Sequence, residues 1–311
     1  MTAPRYLDAA AIVAALSPAA AVDAVTAALR AGFDPASDIP RSVAHTGRGH
    51  FLLMPSEVGG HAGVKVATVA PDNPVAGLPR IQASYLLFDA ATLTLQAILD
   101  GTALTTLRTP AVSLAATRPA LERIREPARV VVFGAGPQAI GHVGTLAAVL
   151  GHLDAVTFVV RRPDRAGAAS RERGTVVRTD SEDAAAALAD AHVVVCATTA
   201  RTPLFPGDAV PPDAVVIAVG SHEPDARELA GALLRRATVI VEDVDTALRE
   251  AGDIIQAVHD EALDTSTLIP MRQIVTGATP LPTGRPVVFK SVGMSWQDLV
   301  VATAVVAAGP P

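Results

Sequence analysis

The chain has 311 residues, half of them hydrophobic and only 3% aromatic, with a formal net charge of −6. That length suits two domains better than one, and the apolar content, carried mainly by Ala and Val, can bury a sizeable core. The charges are scattered and net acidic, which excludes a basic nucleic-acid footprint and a polybasic membrane-binding segment.

Taken in chain order, the N-terminus has no basic region followed by an unbroken apolar core, so no secretory signal is expected. Ser17-Pro18 opens the first clear helix: Ser17 can cap it and Pro18 suits the first helical position. Its apolar stripe runs through Val22, Val25, Ala28 and Leu29 to a stop at Gly32. From Arg41 to Leu99 the texture changes to short β-like runs at 51–54, 63–69, 81–88 and 93–99, separated by Gly and Pro. This predicts a strand-rich, mostly antiparallel unit, followed by a helix over 102–117. The charged, proline-bearing stretch 118–127 is a candidate domain boundary.

After Pro127 the rhythm becomes strand–helix–strand, with strands expected at 129–133, 156–160, 192–197, 214–219 and 238–241. Alternation of this kind predicts an α/β unit with a doubly wound parallel sheet. Cys196, the single cysteine, ends one of these runs and is expected to be buried; a chain with one cysteine forms no intrachain disulfide and fits a reducing cytoplasm. Beyond Val287–Met294 a last helix starts at Ser295, where the chain is expected to return to the first domain. The apolar run 299–308 is too short to span a bilayer.

The most informative stretch is Val130-Val131-Val132-Phe133-Gly134-Ala135-Gly136-Pro137-Gln138-Ala139. A β-branched run ends in G-x-G-x-x-A and a helical pattern follows at once, the context in which the dinucleotide fingerprint has physical meaning. Gly134 permits the tight turn, Gly136 lets backbone N–H groups approach a pyrophosphate, and Ala139 keeps the helix close to the strand. The acid that would bind an NAD ribose belongs at the end of the next strand, Val156–Val160, but Arg161-Arg162 stand there. Two guanidiniums can clamp a 2′-phosphate, which favours NADP(H) over NAD(H). In the alternative reading the arginines are solvated and Asp164 reaches back to the ribose.

Lysine occurs only twice, at 65 and 290. Lys65 lies among apolar neighbours in Gly63-Val64-Lys65-Val66-Ala67, where burial would lower its pKa and make it a candidate proton donor or carboxylate ligand. A lysine snorkelling from an edge strand is the competing reading. Arg108, at or near the start of an Ala-rich helix, and Arg41, just after Pro40, can each hold a carboxylate through parallel hydrogen bonds. His45, His50 and His61 match no compact metal motif, and no G-x-S-x-G nucleophile turn is present.

Together these segments resemble the ornithine cyclodeaminase/μ-crystallin family. The matching pieces are Pro40-Arg41, Met54-Pro55, Gly63-Val64-Lys65-Val66, Asp100-Gly101-Thr102 through Leu107-Arg108-Thr109, and the Gly134–Ala139 turn. Ala218–Leu229, Glu250-Ala251-Gly252-Asp253 and Phe289–Met294 follow in the family's order. The resemblance implies a Rossmann-type domain (118–290) inserted into a discontinuous α+β substrate and dimerisation domain (1–117 and 291–311). It also implies a homodimer and an active site between domains. Position by position, Arg41, Lys65 and Arg108 match the residues that hold the substrate's α-carboxylate and neighbouring nitrogen.

Two departures shape the functional expectation. Ornithine cyclodeaminases carry an aspartate where this chain has His222, and a glutamate near the ornithine side chain where it has Leu52. A δ-ammonium facing Leu52 would be unpaired, at a cost of several kcal/mol, on the order of a broken buried ion pair. Asp225 and Glu57 are nearby carboxylates able to compensate in a shifted register. The expected activity is NAD(P)H-dependent reduction of a small cyclic α-imino acid, Δ1-pyrroline-2-carboxylate to L-proline or the six-membered analogue to L-pipecolate. Arg108 and Arg41 clamp the carboxylate and Lys65 serves the imine nitrogen. His222 is either a proton relay or a capped loop histidine. The competing functions are cyclodeamination of ornithine or lysine with bound NAD, non-catalytic NADPH-dependent binding of a small carboxylate, and an alanine dehydrogenase-like reaction. No nucleic-acid or membrane partner is expected, and no metal.

Overall fold

The computed structural model describes residues 3–309, which divide into two compact units. One contains the residues up to Val112 and those from Met294 onward; the other is Ser113–Gly293. The sequence reading sets these breaks at 117/118 and 290/291. The stretch 118–127, read there as a boundary, begins inside a helix that runs unbroken over Gly101–Leu121.

The first unit is a six-stranded sheet backed by helices. Its elements are β1 (Arg5–Leu7), α1 (Ala9–Ala15), α2 (Pro18–Arg30), β2 (Ser42–Thr46), β3 (Gly49–Val58), β4 (His61–Val69), β5 (Ile81–Asp89), β6 (Leu95–Asp100), α3 (Gly101–Leu121) and the C-terminal helix Ser295–Ala308. The strand order is β1-β6-β5-β4-β3-β2, antiparallel except for the β1–β6 pair. Ser17 caps α2 by accepting from Ala20 N, as its sequence position predicts. α3 begins on Asp100, whose carboxylate accepts from the N–H groups of Thr102 and Ala103. Two-residue alternation puts Met54 and Ser56, then Gly63, Lys65 and Ala67, then Tyr85 and Leu87 on one buried face. The C-terminal helix packs on β3, β4 and β5 at that face. The opposite face carries a cross-strand row of Tyr6, Ile98, Leu86, Val64 and Pro55.

The second unit is an eight-stranded sheet, every pair parallel, in the order β13-β12-β14-β11-β10-β7-β8-β9. Its elements are β7 (Ala128–Phe133), α4 (Pro137–Leu150), β8 (Leu153–Val160), β9 (Thr175–Arg178), β10 (Val193–Cys196), β11 (Val215–Ala218), β12 (Thr238–Val241), β13 (Ile269–Pro270) and β14 (Val287–Lys290). The central strands are buried on both sides, which is why they read as unbroken Val/Ile runs rather than alternating ones. Cys196 is among those buried residues. Sequence reasoning missed β9 and β13. It also placed Val287–Lys290 within the second domain without reading it as a strand, whereas β14 lies inside this sheet between β11 and β12. No single helix among the described residues is long and apolar enough to cross a membrane.

One buried histidine ties two helices together within this unit. On α4, His142 Nδ1 lies 2.8 Å from Gln138 O and Nε2 lies 3.0 Å from Ser113 Oγ. A carbonyl only accepts, so the neutral ring carries its proton on Nδ1 and takes the Ser113 hydroxyl hydrogen at Nε2. Burial lowers the His142 pKa from 6.5 to about 4. The unfolded chain therefore binds this proton first. The stabilisation is complete above pH 6.5 and is lost as pH falls toward about 4, a loss on the order of 3 kcal/mol. Denaturant titrations across that window should show His142→Gln lacking this part of the wild-type acid limb.

Candidate active site

In the first unit, three buried charged groups meet on the inner face of the sheet. Lys65 Nζ, on β4, lies 2.7 Å from Asp298 Oδ2. Arg108 Nε, two turns into α3, lies 3.3 Å from Asp298 Oδ1, and Arg108 Nη1 donates to Gln297 Oε1. Lys65 is 4% exposed, Arg108 5% and Asp298 fully buried. The snorkelling alternative for Lys65 is thereby excluded.

The helix that supplies Asp298 is itself held in place. Asp38 Oδ1 accepts from Ser56 Oγ at 2.7 Å and Oδ2 from Trp296 N at 3.0 Å, so one carboxylate joins β3 to the first turn of the C-terminal helix. Burial raises the Asp38 pKa against the opposing pull of these bonds.

The electrostatics of the cluster favour an anion. Burial is the largest influence on Lys65 and brings its pKa down from 10.5 to about 8; Asp298 opposes this, while Arg108 and Arg41 reinforce it. Arg41, half-buried just before β2, therefore acts on the same site. Within the buried cluster two cations share one carboxylate, and the excess positive charge in a desolvated place would favour a ligand carboxylate.

In the second unit the glycine turn has the form a dinucleotide requires. Gly134 sits at φ 107°, and a Cβ there would lie 2.5 Å from Ala197 O. A Cβ on Gly136 would meet nothing within 4 Å, so the backbone is open to close approach at that point. Gly136 is the N-cap of α4 and offers no capping side chain, Pro137 occupies the first turn, and Ala139 is fully buried against the sheet. The first turn of α4 thus has no capping side chain at the positive end of the helix dipole, the place where a helix favours an anion. Arg161 and Arg162 follow β8, the strand beside β7, and are exposed, as is Asp164.

His222 lies exposed in the loop after β11. Sequence reasoning missed the buried polar network beneath that loop. Glu228 accepts from Thr198 N, Thr198 Oγ1 and Gly220 N; Asp253 accepts from the N–H groups of Glu228 and Leu229. Lys290 Nζ ion-pairs with Asp253 at 2.9 Å and donates to Ser221 O.

Of the predicted residues, Lys65, Arg108 and Arg41 converge in the first unit, while the Gly134–Ala139 turn, Arg161, Arg162 and His222 belong to the second. Asp38, Gln297 and Asp298 were not foreseen. Asp298 had a signal: it is the only charged residue from Ser291 to Pro311, within an otherwise apolar helix. Each of the two nearby carboxylates has its own surroundings within its unit. Leu52 shares a face with Met54 and Ser56, whereas Glu57 is exposed on the opposite face, and Asp225 is held, with Glu223, by Arg201.

Comparison with known proteins gives a consistent family. The model of the ornithine cyclodeaminase/mu-crystallin family matches residues 5–308. The ketimine reductase mu-crystallin of Mus musculus is 32% identical over 262 residues, covering 83% of this chain and 80% of that protein. The Δ1-pyrroline-2-carboxylate reductase of Thermococcus litoralis, solved with NADH and L-proline, superposes with a TM-score of 0.84 at 26% identity, covering 98% of this chain and 97% of that one. A probable ornithine cyclodeaminase from Bordetella pertussis superposes with a TM-score of 0.82 at 30% identity, covering 99% of each chain.

Gly134→Ala should combine backbone strain with a clash on Ala197 O, a cost of about 1–3 kcal/mol. Calorimetry should show dinucleotide affinity reduced about tenfold or more. Gly144→Ala on α4, where a Cβ meets nothing within 4 Å, should leave it unchanged.

Proposed function

The chain belongs to the ornithine cyclodeaminase/mu-crystallin family, and on that premise we propose that it reduces small cyclic α-imino acids with a reduced nicotinamide cofactor. Relatives named as ketimine reductase and Δ1-pyrroline-2-carboxylate reductase support the reaction class. The observation that carries the reading is the buried Lys65–Asp298–Arg108 cluster, with two cations to one carboxylate.

In this reading Arg108 and Arg41 bind the substrate carboxylate and fix the ring. The Lys65 ammonium donates to the imine nitrogen, withdrawing electrons from C2 and placing the proton that the product amine retains. A reduced nicotinamide, when bound, would supply a hydride at C2, and that hydride with one proton would balance the conversion of C=N to CH–NH. The Gly134–Ala139 turn holds the pyrophosphate. His222, exposed in the loop after β11, is taken as the proton relay to solvent. We also take the outward row of Tyr6, Ile98, Leu86, Val64 and Pro55 as the face through which two copies pair as a homodimer, an apolar stripe on one side of a sheet.

Purified protein with NADPH and Δ1-pyrroline-2-carboxylate or Δ1-piperideine-2-carboxylate should lose the reduced-nicotinamide absorbance. Ammonia release from ornithine with no net cofactor change would overturn the reading in favour of cyclodeamination. Tight ligand binding without turnover would make the protein a binder. Lys65→Met should lower kcat about a hundredfold or more and leave NADPH affinity within about twofold.

Arg161 and Arg162, with no acid at the tip of β8, support NADPH over NADH as the preferred cofactor. Replacing both by Ala should raise the KM for NADPH about tenfold or more while changing that for NADH little; an equal change in both would remove the preference.

A further inference from the structure

The two cations of the pocket share a single fully buried counter-charge. Lys65 Nζ takes one oxygen of Asp298 at 2.7 Å, and Arg108 Nε faces the other at 3.3 Å. Gln297, the preceding residue on the same helix turn, takes Arg108 Nη1. An oxygen of a substrate carboxylate would have to be accepted by the same guanidinium and in the same neighbourhood as the Asp298 carboxylate. Like charges held that close in a desolvated site repel, so Asp298 opposes the ligand that the pocket is built to take.

We propose that Asp298 is a positioning residue that trades substrate affinity for turnover: it keeps the Lys65 ammonium charged and aimed, and fixes the Nε edge of Arg108, at the expense of weaker carboxylate binding. This rests on the reductase reading for its turnover half, but the binding half stands on the charge geometry alone. A carboxylate present only to hold the C-terminal helix would support binding and turnover together. The proposed arrangement makes the two respond in opposite directions.

The groups facing Lys65 are few. Asp298 comes from the C-terminal helix, Arg108 from α3 and Arg41 from the segment before β2, and Tyr85 is its cross-strand neighbour on β5. The arginines keep their charge across any accessible pH. Burial and two nearby negative charges, Asp298 and Asp38, hold the Tyr85 hydroxyl well above its usual range. Lys65 is thus the group that changes charge in mildly alkaline solution, and Asp298 is the partner that delays it.

The experiment pairs calorimetric binding of pyrrole-2-carboxylate, a planar carboxylate that cannot be reduced, with the pH profile of kcat for wild type, D298N and D298E. D298N should bind the probe about tenfold more tightly at pH near 6, where Lys65 remains charged. Its kcat should fall about a hundredfold, and the alkaline limb of its profile should move down by roughly one pH unit or more. D298E restores the charge and should return the limb toward that of wild type. Weaker probe binding by D298N, or an unmoved limb, would overturn the proposal. Should D298N fail to fold, D298S removes the same charge with a smaller side chain, and the same opposed changes in probe affinity and kcat are expected; losses of both together would overturn the proposal. Because binding is read without turnover, tighter binding by D298N in a protein that reduces no imine would support the charge trade and sink only the reductase reading.

Discussion

Removing water from a charge is costly, and in the first unit Asp298 is where the fold meets that cost. Breaking a buried ion pair on one side commonly costs 3–5 kcal/mol, because the remaining charge has no solvent to fall back on. Here one carboxylate serves two cations, so β4, α3 and the C-terminal helix are bound to a common point. Asp38 adds a second tie from the same helix to β3. The sheet, its covering helix and the Lys65 ammonium are therefore parts of one electrostatic construction.

The second unit solves a similar problem at the ends of its strands. Lys290, at the tip of β14, is buried with Asp253, while Glu228 gathers the backbone where β10 and β11 give way to loops. Both lysines of the chain are thus buried and each is paired with an aspartate. A chain that uses arginine for its surface charge keeps lysine where a compact ammonium fits and a guanidinium does not. The loop carrying His222 is exposed at its tip yet anchored through Ser221 O and Gly220 N, which allows solvent access without loss of position.

Much of this was legible in the residues because local patterns cause it. The Gly134–Ala139 turn needs a positive φ and an open backbone, and only glycine supplies both cheaply. Buried parallel strands announce themselves as Val/Ile runs, and Ser17 caps the helix it was read to cap. What stayed hidden depends on partners far apart in the chain. Asp298 could be noticed as a lone charge in an apolar helix, but nothing local shows that it pairs with Lys65, 233 positions away. Asp38 looks like any loop aspartate until its bond to Trp296 N is seen. The place of β14 inside the sheet likewise follows from pairing with β11 and β12, which its four residues do not encode.

The discontinuity of the first unit has a consequence for the order in which the protein is made. Lys65 and Arg108 emerge from the ribosome early, whereas the helix bearing Asp298 follows only after the whole of Ser113–Gly293. Vectorial synthesis therefore leaves the inner face of the sheet uncovered and its cations without their shared counter-ion while an entire second domain is produced and can fold. Until then the nascent chain holds two cations of the cluster without the carboxylate they share. The cluster is complete only once the segment after the second unit has been made.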